Sequence, residues 1–67
     1  MNAMKYVGKF ILLQGKMVKV VSVMPRADGW ARVRVTDGPS KSPRLESLTE
    51  AKLDAARSAY LQSLAQP

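Results

Sequence analysis

The sequence predicts a mainly β domain with one C-terminal helix, in the order β-β-β-(β)-α, folded as a small curved antiparallel sheet or a small barrel. Short segments rich in β-branched and aromatic residues are separated by glycine-containing turns, a pattern typical of short strands. The dipeptide Asp28-Gly29 is a strong hairpin signal. The C-terminal third of the chain is rich in alanine and repeats its apolar residues at helical spacing.

The first predicted strand covers residues 6–13, where aromatic and branched apolar residues are dense. We expect residues 1–4, which precede it, to form a loose leader. Gln14 and Gly15 end the strand, because glycine permits the positive φ angle that tight turns often require.

The second predicted strand covers residues 16–24, and its valines do not alternate cleanly. Val18 and Val20 point to one side, whereas Val21 and Val23 point to the other. A strand buried on both faces would show this pattern, and so would a β-bulge between Val20 and Val21. We favour the bulge, because so short a chain must curl its sheet to form a core.

The third predicted strand follows the turn at residues 25–29 and alternates cleanly. One set of side chains is apolar and the other is basic, aromatic or polar, so the two sets lie on opposite faces. The apolar set is Ala31, Val33 and Val35, and the opposite set is Trp30, Arg32, Arg34 and Thr36.

A short fourth strand at residues 44–46 is predicted to lead into a helix over residues 48–64. Ser47 and Glu50 match a capping box, in which the two side chains bond the first free amides of the helix. The helix carries an apolar stripe, which consists of Leu53, Ala56, Tyr60 and Leu64.

The stripe has two interpretations. It can pack across the open end of the sheet and complete a core that a chain of this length needs. Alternatively, it can dock on a second copy, which would give a homodimer through the C-terminal helix, or on a target protein. Leu48 and Leu61 lie off the stripe and are expected to be exposed apolar residues that indicate a partner.

The chain has 67 residues, enough for one domain, with the curved sheet or barrel at residues 5–46 and the helix at residues 47–65. It has no cysteine and no histidine, which excludes disulfide scaffolds, thiolate nucleophiles and the usual zinc sites. Acid–base catalysis would need a histidine or paired carboxylates in a pocket. We therefore expect a non-enzymatic binding module without a metal or cofactor.

No apolar run approaches the ~18–20 residues that span a bilayer. The N-terminus also lacks the extended apolar segment of a signal peptide. We expect a cytoplasmic protein with no membrane partner.

Positive charge is concentrated in the first two thirds of the chain. The whole chain has a net charge of +6, with +7 in residues 1–45 and −1 in residues 46–67. A basic surface favours polyanionic partners through its electrostatic field. Solubility alone is the alternative explanation, since a net charge of about 2–8 is ordinary for a small domain.

The strongest candidate site is the face that Trp30, Arg32 and Arg34 share. Two guanidinium groups about 7 Å apart along a strand can bridge successive phosphates, and an indole ring can stack on an unpaired base. An ordinary solvated face is the alternative. Further basic residues can widen the patch from a neighbouring strand or from loops, namely Lys16, Lys19, Arg26, Lys41 and Arg44.

Residues 6–46 resemble a small SH3-like barrel. The segment 15–21, the turn at Asp28-Gly29 and the segment 31–35 together look like a KOW-type segment, in which a glycine opens a valine-rich strand and a hairpin returns it. They are also similar to the small SH3-like proteins common in phage and plasmid genomes. The resemblance implies binding to nucleic acid or to a nucleic-acid machine such as the ribosome or a polymerase.

Two functions follow from these observations. The first is nucleic-acid binding, to DNA or RNA, through the basic strand face. The second is that of an accessory or inhibitor protein, phage- or plasmid-encoded, whose basic face docks on an acidic surface of a host protein complex.

Overall fold

The computed structural model describes residues 3–38 and 41–65, in which four strands form one curved antiparallel sheet followed by a helix. The elements are a short 3-10 helix at Ala3–Tyr6, β1 at Phe10–Leu13, β2 at Lys16–Pro25, β3 at Trp30–Thr36, β4 at Arg44–Thr49 and α1 at Glu50–Ala65. Each strand pairs with its neighbour in sequence, so β1 and β4 are edges and the sheet does not close. The predicted mainly β fold with a C-terminal helix is confirmed, as a curved sheet rather than a closed barrel.

One face of this sheet forms the hydrophobic core. In β3, Ala31, Val33 and Val35 have no exposed surface, which confirms the predicted alternation. Burying a branched apolar side chain stabilises the fold by about 1.5–3 kcal/mol relative to leaving it in water. The other buried residues come from the remaining elements and are Ala3, Tyr6, Ile11, Val18, Val20, Val23, Leu48, Leu53 and Ala56.

The predicted β-bulge in β2 is confirmed. The register between β2 and β3 shifts between Val20 and Ser22, which leaves Val21 as the extra residue. The bulge allows Val20 and Val23 to be buried although their spacing is odd, while Val21 is 41% exposed.

The turn between β1 and β2 contains only Gln14 and Gly15, since Leu13 pairs directly with Lys16. The φ angles of the two turn residues are 52° and 78°. Positive φ at both central residues is the requirement of a type I′ turn, whose twist matches that of the flanking strands. Gly15 meets this requirement without strain. The two-residue turn fixes the register of β1 on β2.

The N-terminal segment differs from the predicted loose leader. Residues 1 and 2 lie outside the described residues, but Ala3 and Tyr6 belong to the 3-10 helix and are buried. The first strand begins at Phe10 and not at Tyr6. The reason is that Gly8, with a φ angle of 83°, turns the chain between the two.

The junction of β4 and α1 also corrects the prediction. The strand continues through Ser47 and Leu48, because Leu48 lies opposite Ala31 and is buried. The cap of the helix is Thr49, whose Oγ1 accepts the Lys52 N–H at 3.2 Å. The predicted capping role of Ser47 and the predicted exposure of Leu48 are therefore wrong.

The apolar stripe of α1 is buried over only part of its length. Leu53 and Ala56 are buried, Tyr60 stacks on Phe10 with 5.9 Å between ring centroids, and Leu64 is 64% exposed. The helix packs on β1, whose 4 residues span about 13 Å. The helix has 16 residues and spans about 24 Å, so its last turns extend past the strand.

The helix also covers the edge of β1. The Lys9 carbonyl accepts the Val20 N–H of β2, and successive carbonyls of a strand point to opposite sides. The Phe10 carbonyl therefore points away from β2, where the Arg57 guanidinium donates to it at 2.7 Å. This contact satisfies a backbone acceptor that another strand would otherwise bond.

The N-terminal segment is also hydrogen-bonded to the helix. The Tyr6 phenol donates a hydrogen bond to the Asp54 carboxylate, and Lys5 lies 4.0 Å from that carboxylate. Burial of the phenol, reinforced by the bond to Asp54, raises the pKa of Tyr6 to about 12. Tyr6 therefore stays protonated, and remains a donor, at neutral pH.

Candidate functional site

The candidate site is the face of the sheet opposite the core, called the outer face below. Pairing between the strands places its residues in rows that cross from β2 through β3 to β4. From one end of β3 to the other, the rows are Lys19 with Thr36; Ser22, Arg34 and Leu45; Met24, Arg32 and Ser47; and Trp30 with Thr49. The structure thus brings together four residues that the sequence selected, namely Lys19, Trp30, Arg32 and Arg34.

The cations of the outer face lack protein partners. The side chains of Lys19, Arg32 and Arg34 are exposed and make no ion pair or hydrogen bond with any residue in 3–38 or 41–65. None of the positions in the four rows is acidic. The three charges are therefore free to interact with groups outside the protein.

Arg44, by contrast, is neutralised within the fold. Its alternation with Leu48 places it on the core side of β4, where its Nη1 lies 2.8 Å from Asp37 and its Nε lies 3.0 Å from Glu46. Arg44 donates hydrogen bonds to the carboxylates of Asp37 and Glu46, which raises the pKa of Arg44 and lowers the pKa of Asp37. Arg44 therefore closes the loop between β3 and β4 and is not part of the outer-face patch.

The remaining predicted cations lie outside the four rows as well. Arg26 is in the turn before β3 and next to Trp30, whose carbonyl accepts the Arg26 N–H at 2.8 Å, and its guanidinium lies 3.6 Å from Asp28. Lys16 shares the core side of β2 with Val18, and its charge, like that of Lys41 in the loop after β3, helps to lower the pKa of Asp37. None of these three residues belongs to the rows of the outer face.

Trp30 ends the outer face next to the helix start. Its backbone N–H donates to the Asp28 carboxylate at 3.0 Å, which fixes the turn that precedes it. The ring is 38% exposed, and the Lys52 ammonium lies 5.6 Å from its centroid. Lys52 was not predicted to belong to the site, because its place beside Trp30 depends on where β4 ends and α1 begins.

A pocket lies at the opposite end of the outer face, beyond Thr36. Its volume is about 500 Å³, and its walls are largely apolar, with Val7, Phe10 and Val21 among them. Lys19 and Asp37 also line it. The sequence indicated the bulge that exposes Val21, but not the pocket, which needs the segment before β1 to fold beside the bulge.

The exposed end of α1 is a separate apolar surface. Leu61 is 47% exposed and Leu64 is 64% exposed. The predicted homodimer through this helix stays a prediction.

Neither a metal-binding group of side chains nor a membrane-spanning helix is found in the part of the chain that the structure describes. Within residues 3–38 and 41–65, no three acidic side chains are grouped as they would be around a metal ion. No helix within the same ranges has both the length and the apolar character needed to span a bilayer.

Comparisons with protein-family models, with curated proteins and with solved structures gave no match. The resemblance of residues 6–46 to SH3-like and KOW-type segments therefore stays a prediction.

Proposed function

We propose that the protein binds nucleic acid through the outer face of its sheet. The observation that carries this proposal is the distribution of charge partners. Arg26, Arg44 and Lys5 each have a carboxylate within 4.0 Å, whereas Arg32 and Arg34 have none among the described residues. Lys19, Arg32 and Arg34 thus form a group of cations, in rows without an acidic residue, that has no ion pair with the described residues.

The chemistry of the two arginines suits phosphate. A guanidinium group presents a planar fork of donors that matches phosphate oxygens and holds its charge at any working pH. Arg32 and Arg34 are two residues apart on β3, so their Cα atoms are about 7 Å apart. Such contacts position a nucleic-acid backbone and do not read its sequence.

The test is the double variant Arg32→Glu/Arg34→Glu. We expect its affinity for a labelled oligonucleotide, measured by fluorescence anisotropy at low salt, to fall at least about 100-fold, because two attractive contacts become repulsive. The slope of log K against log salt should also become shallower by about 1.4–1.8, as expected for two lost phosphate contacts.

The matched control is Lys9→Glu/Lys41→Glu, which changes the net charge by the same amount at two exposed positions off the outer face. It should weaken binding much less than the arginine pair and leave more of the salt slope intact. Equal losses in the two double variants would mean that net charge alone drives association. Absence of binding by the wild-type protein at low salt would contradict the proposal outright.

A second candidate is docking on an acidic surface of a host protein complex. Met24 and Leu45 favour it, because they are 66% and 58% exposed and flank the arginines in the rows. Methionine and arginine are enriched in protein interfaces, whose buried centres are more apolar than their rims. Capture from lysate after nuclease treatment, lost on Met24→Gln/Leu45→Gln and kept on Met17→Gln, would support this function.

A further inference from the structure

We propose that the preferred ligand is single-stranded nucleic acid, and that the pocket beside the bulge holds one nucleobase while Trp30 stacks on another. This inference rests on the proposed function and names its substrate class. It depends on two features that phosphate binding alone does not need, namely an apolar pocket and an exposed indole at opposite ends of the outer face.

The pocket has the composition of a base site. Its volume of about 500 Å³ lies within the range of small-ligand pockets. Val7, Phe10 and Val21 are each about 40% exposed, so they offer apolar surface to a flat ring. Asp37 lines the same pocket, and its carboxylate, which accepts two hydrogen bonds from Arg44, retains further lone pairs for N–H groups on a base edge.

The charge around the pocket fits the phosphate that accompanies a base. Lys19 lines the pocket from the outer face and has no partner among residues 3–38 and 41–65. A base in the pocket would place its own phosphate near this ammonium group. The next cation along the face is Arg34, whose neighbour Ser22 follows the bulge.

The order of groups along β3 matches a single strand. Moving from the pocket, Thr36 is followed by Arg34, then Arg32, then Trp30, each two residues further on. The whole distance is about 20 Å at 3.3 Å per residue. A base site, two phosphate sites and a stacking site therefore occur in one line, in the pattern of proteins that bind single strands through a basic groove and aromatic platforms.

A duplex cannot use this arrangement in the same way. Its bases are stacked and paired, so it presents phosphates to the arginines but no free base to the pocket or to Trp30. Flipping a base out of a duplex costs a few kcal/mol. We therefore expect a single strand to bind more tightly than the duplex of the same sequence at equal salt.

The experiment measures anisotropy with a labelled single strand and with its duplex, for the wild-type protein and two neutral variants. Val21→Gln places a polar, longer side chain in the pocket. Met17→Gln makes the corresponding change at a 55% exposed position of β2 outside the pocket. We expect Val21→Gln to lower single-strand affinity about tenfold, or ~1.4 kcal/mol, with little effect on the duplex and little effect of Met17→Gln on either ligand.

Intrinsic fluorescence gives a second measurement, because Trp30 is the only tryptophan. Quenching by the single strand and not by the duplex is the expected result. Tighter binding of the duplex, or equal effects of Val21→Gln and Met17→Gln, would overturn this inference and leave phosphate binding by the arginines standing. Failure of both ligands to bind at low salt would instead overturn the proposed function itself.

Discussion

The two faces of β3 differ in burial and in charge. Val33 is fully buried, whereas its neighbours Arg32 and Arg34 are exposed and lack protein partners among the described residues. The 3-10 helix and α1 both contribute buried residues to the core on the Val33 side. One set of alternating residues therefore stabilises the fold, and the other set is available for binding.

The largest loss of stability is expected when a charged residue is placed on the buried face of β3. Val33→Glu places a carboxylate in the core without a partner, and a buried unpaired charge costs several kcal/mol. Since a domain of this size has only about 3–5 kcal/mol of stability from its core, we expect the variant to be unfolded by circular dichroism at 25 °C. Arg32→Glu, one position earlier, is the control and should retain a folded spectrum. A folded Val33→Glu variant would contradict the burial described for this face.

A smaller effect is expected at the margin of the core, where Tyr6 bonds Asp54. Tyr6→Phe should lower the free energy of unfolding by about 1–2 kcal/mol, because it removes a hydrogen bond to a charged group. Tyr60→Phe is the control, since the Tyr60 hydroxyl makes no hydrogen bond within the described residues. Urea denaturation of both variants measures the difference.

The Tyr6 contribution should also depend on pH. The pKa of Tyr6 is raised from 10.0 to about 12 in the folded protein, so the folded state retains a proton that the unfolded state loses first. The stabilisation is therefore fully present below pH 10 and is lost as the pH rises towards 12. The difference between wild type and Tyr6→Phe should shrink over this interval, and a constant difference would contradict the raised pKa of Tyr6.

The smallest loss of stability is expected at Thr49, which lies in an outer-face row but stabilises the fold as the cap of α1. Thr49→Ala removes the cap of α1 and should lower stability by about 1 kcal/mol. Ser47→Ala, two residues earlier on the same face, should change it by less than about 0.5 kcal/mol. Thermal unfolding of the pair separates the observed cap from the capping box that the sequence predicted.

Local patterns predicted the local features of the fold. The alternation in β3 and the bulge in β2 follow from spacing within one strand, and both are found in the structure. The helix was predicted for the same reason, with an error of a few residues at its start. That error arose because burial of Leu48 against Ala31, a contact between strands, outweighs the local capping signal of Ser47.

Features that depend on distant residues were not predictable. The bond between Tyr6 and Asp54 joins residues 48 positions apart, and the pocket needs Val7 beside the bulge. Arg44 was grouped with the binding residues by charge alone, although Glu46 lies on the same side of β4 and pairs with it. A cation is available for binding only if the fold supplies no acid for it, and composition does not contain that information.

The sequential order of the strands has a consequence for how the chain folds. Each strand pairs with the one before it, so the sheet has low contact order and can grow by successive hairpins. Docking of α1 is different, since the Arg57 guanidinium and the Phe10 carbonyl are 47 residues apart. Closing so long a loop carries the larger entropy cost, so we expect the helix to dock after the sheet has formed and to detach first when the protein unfolds.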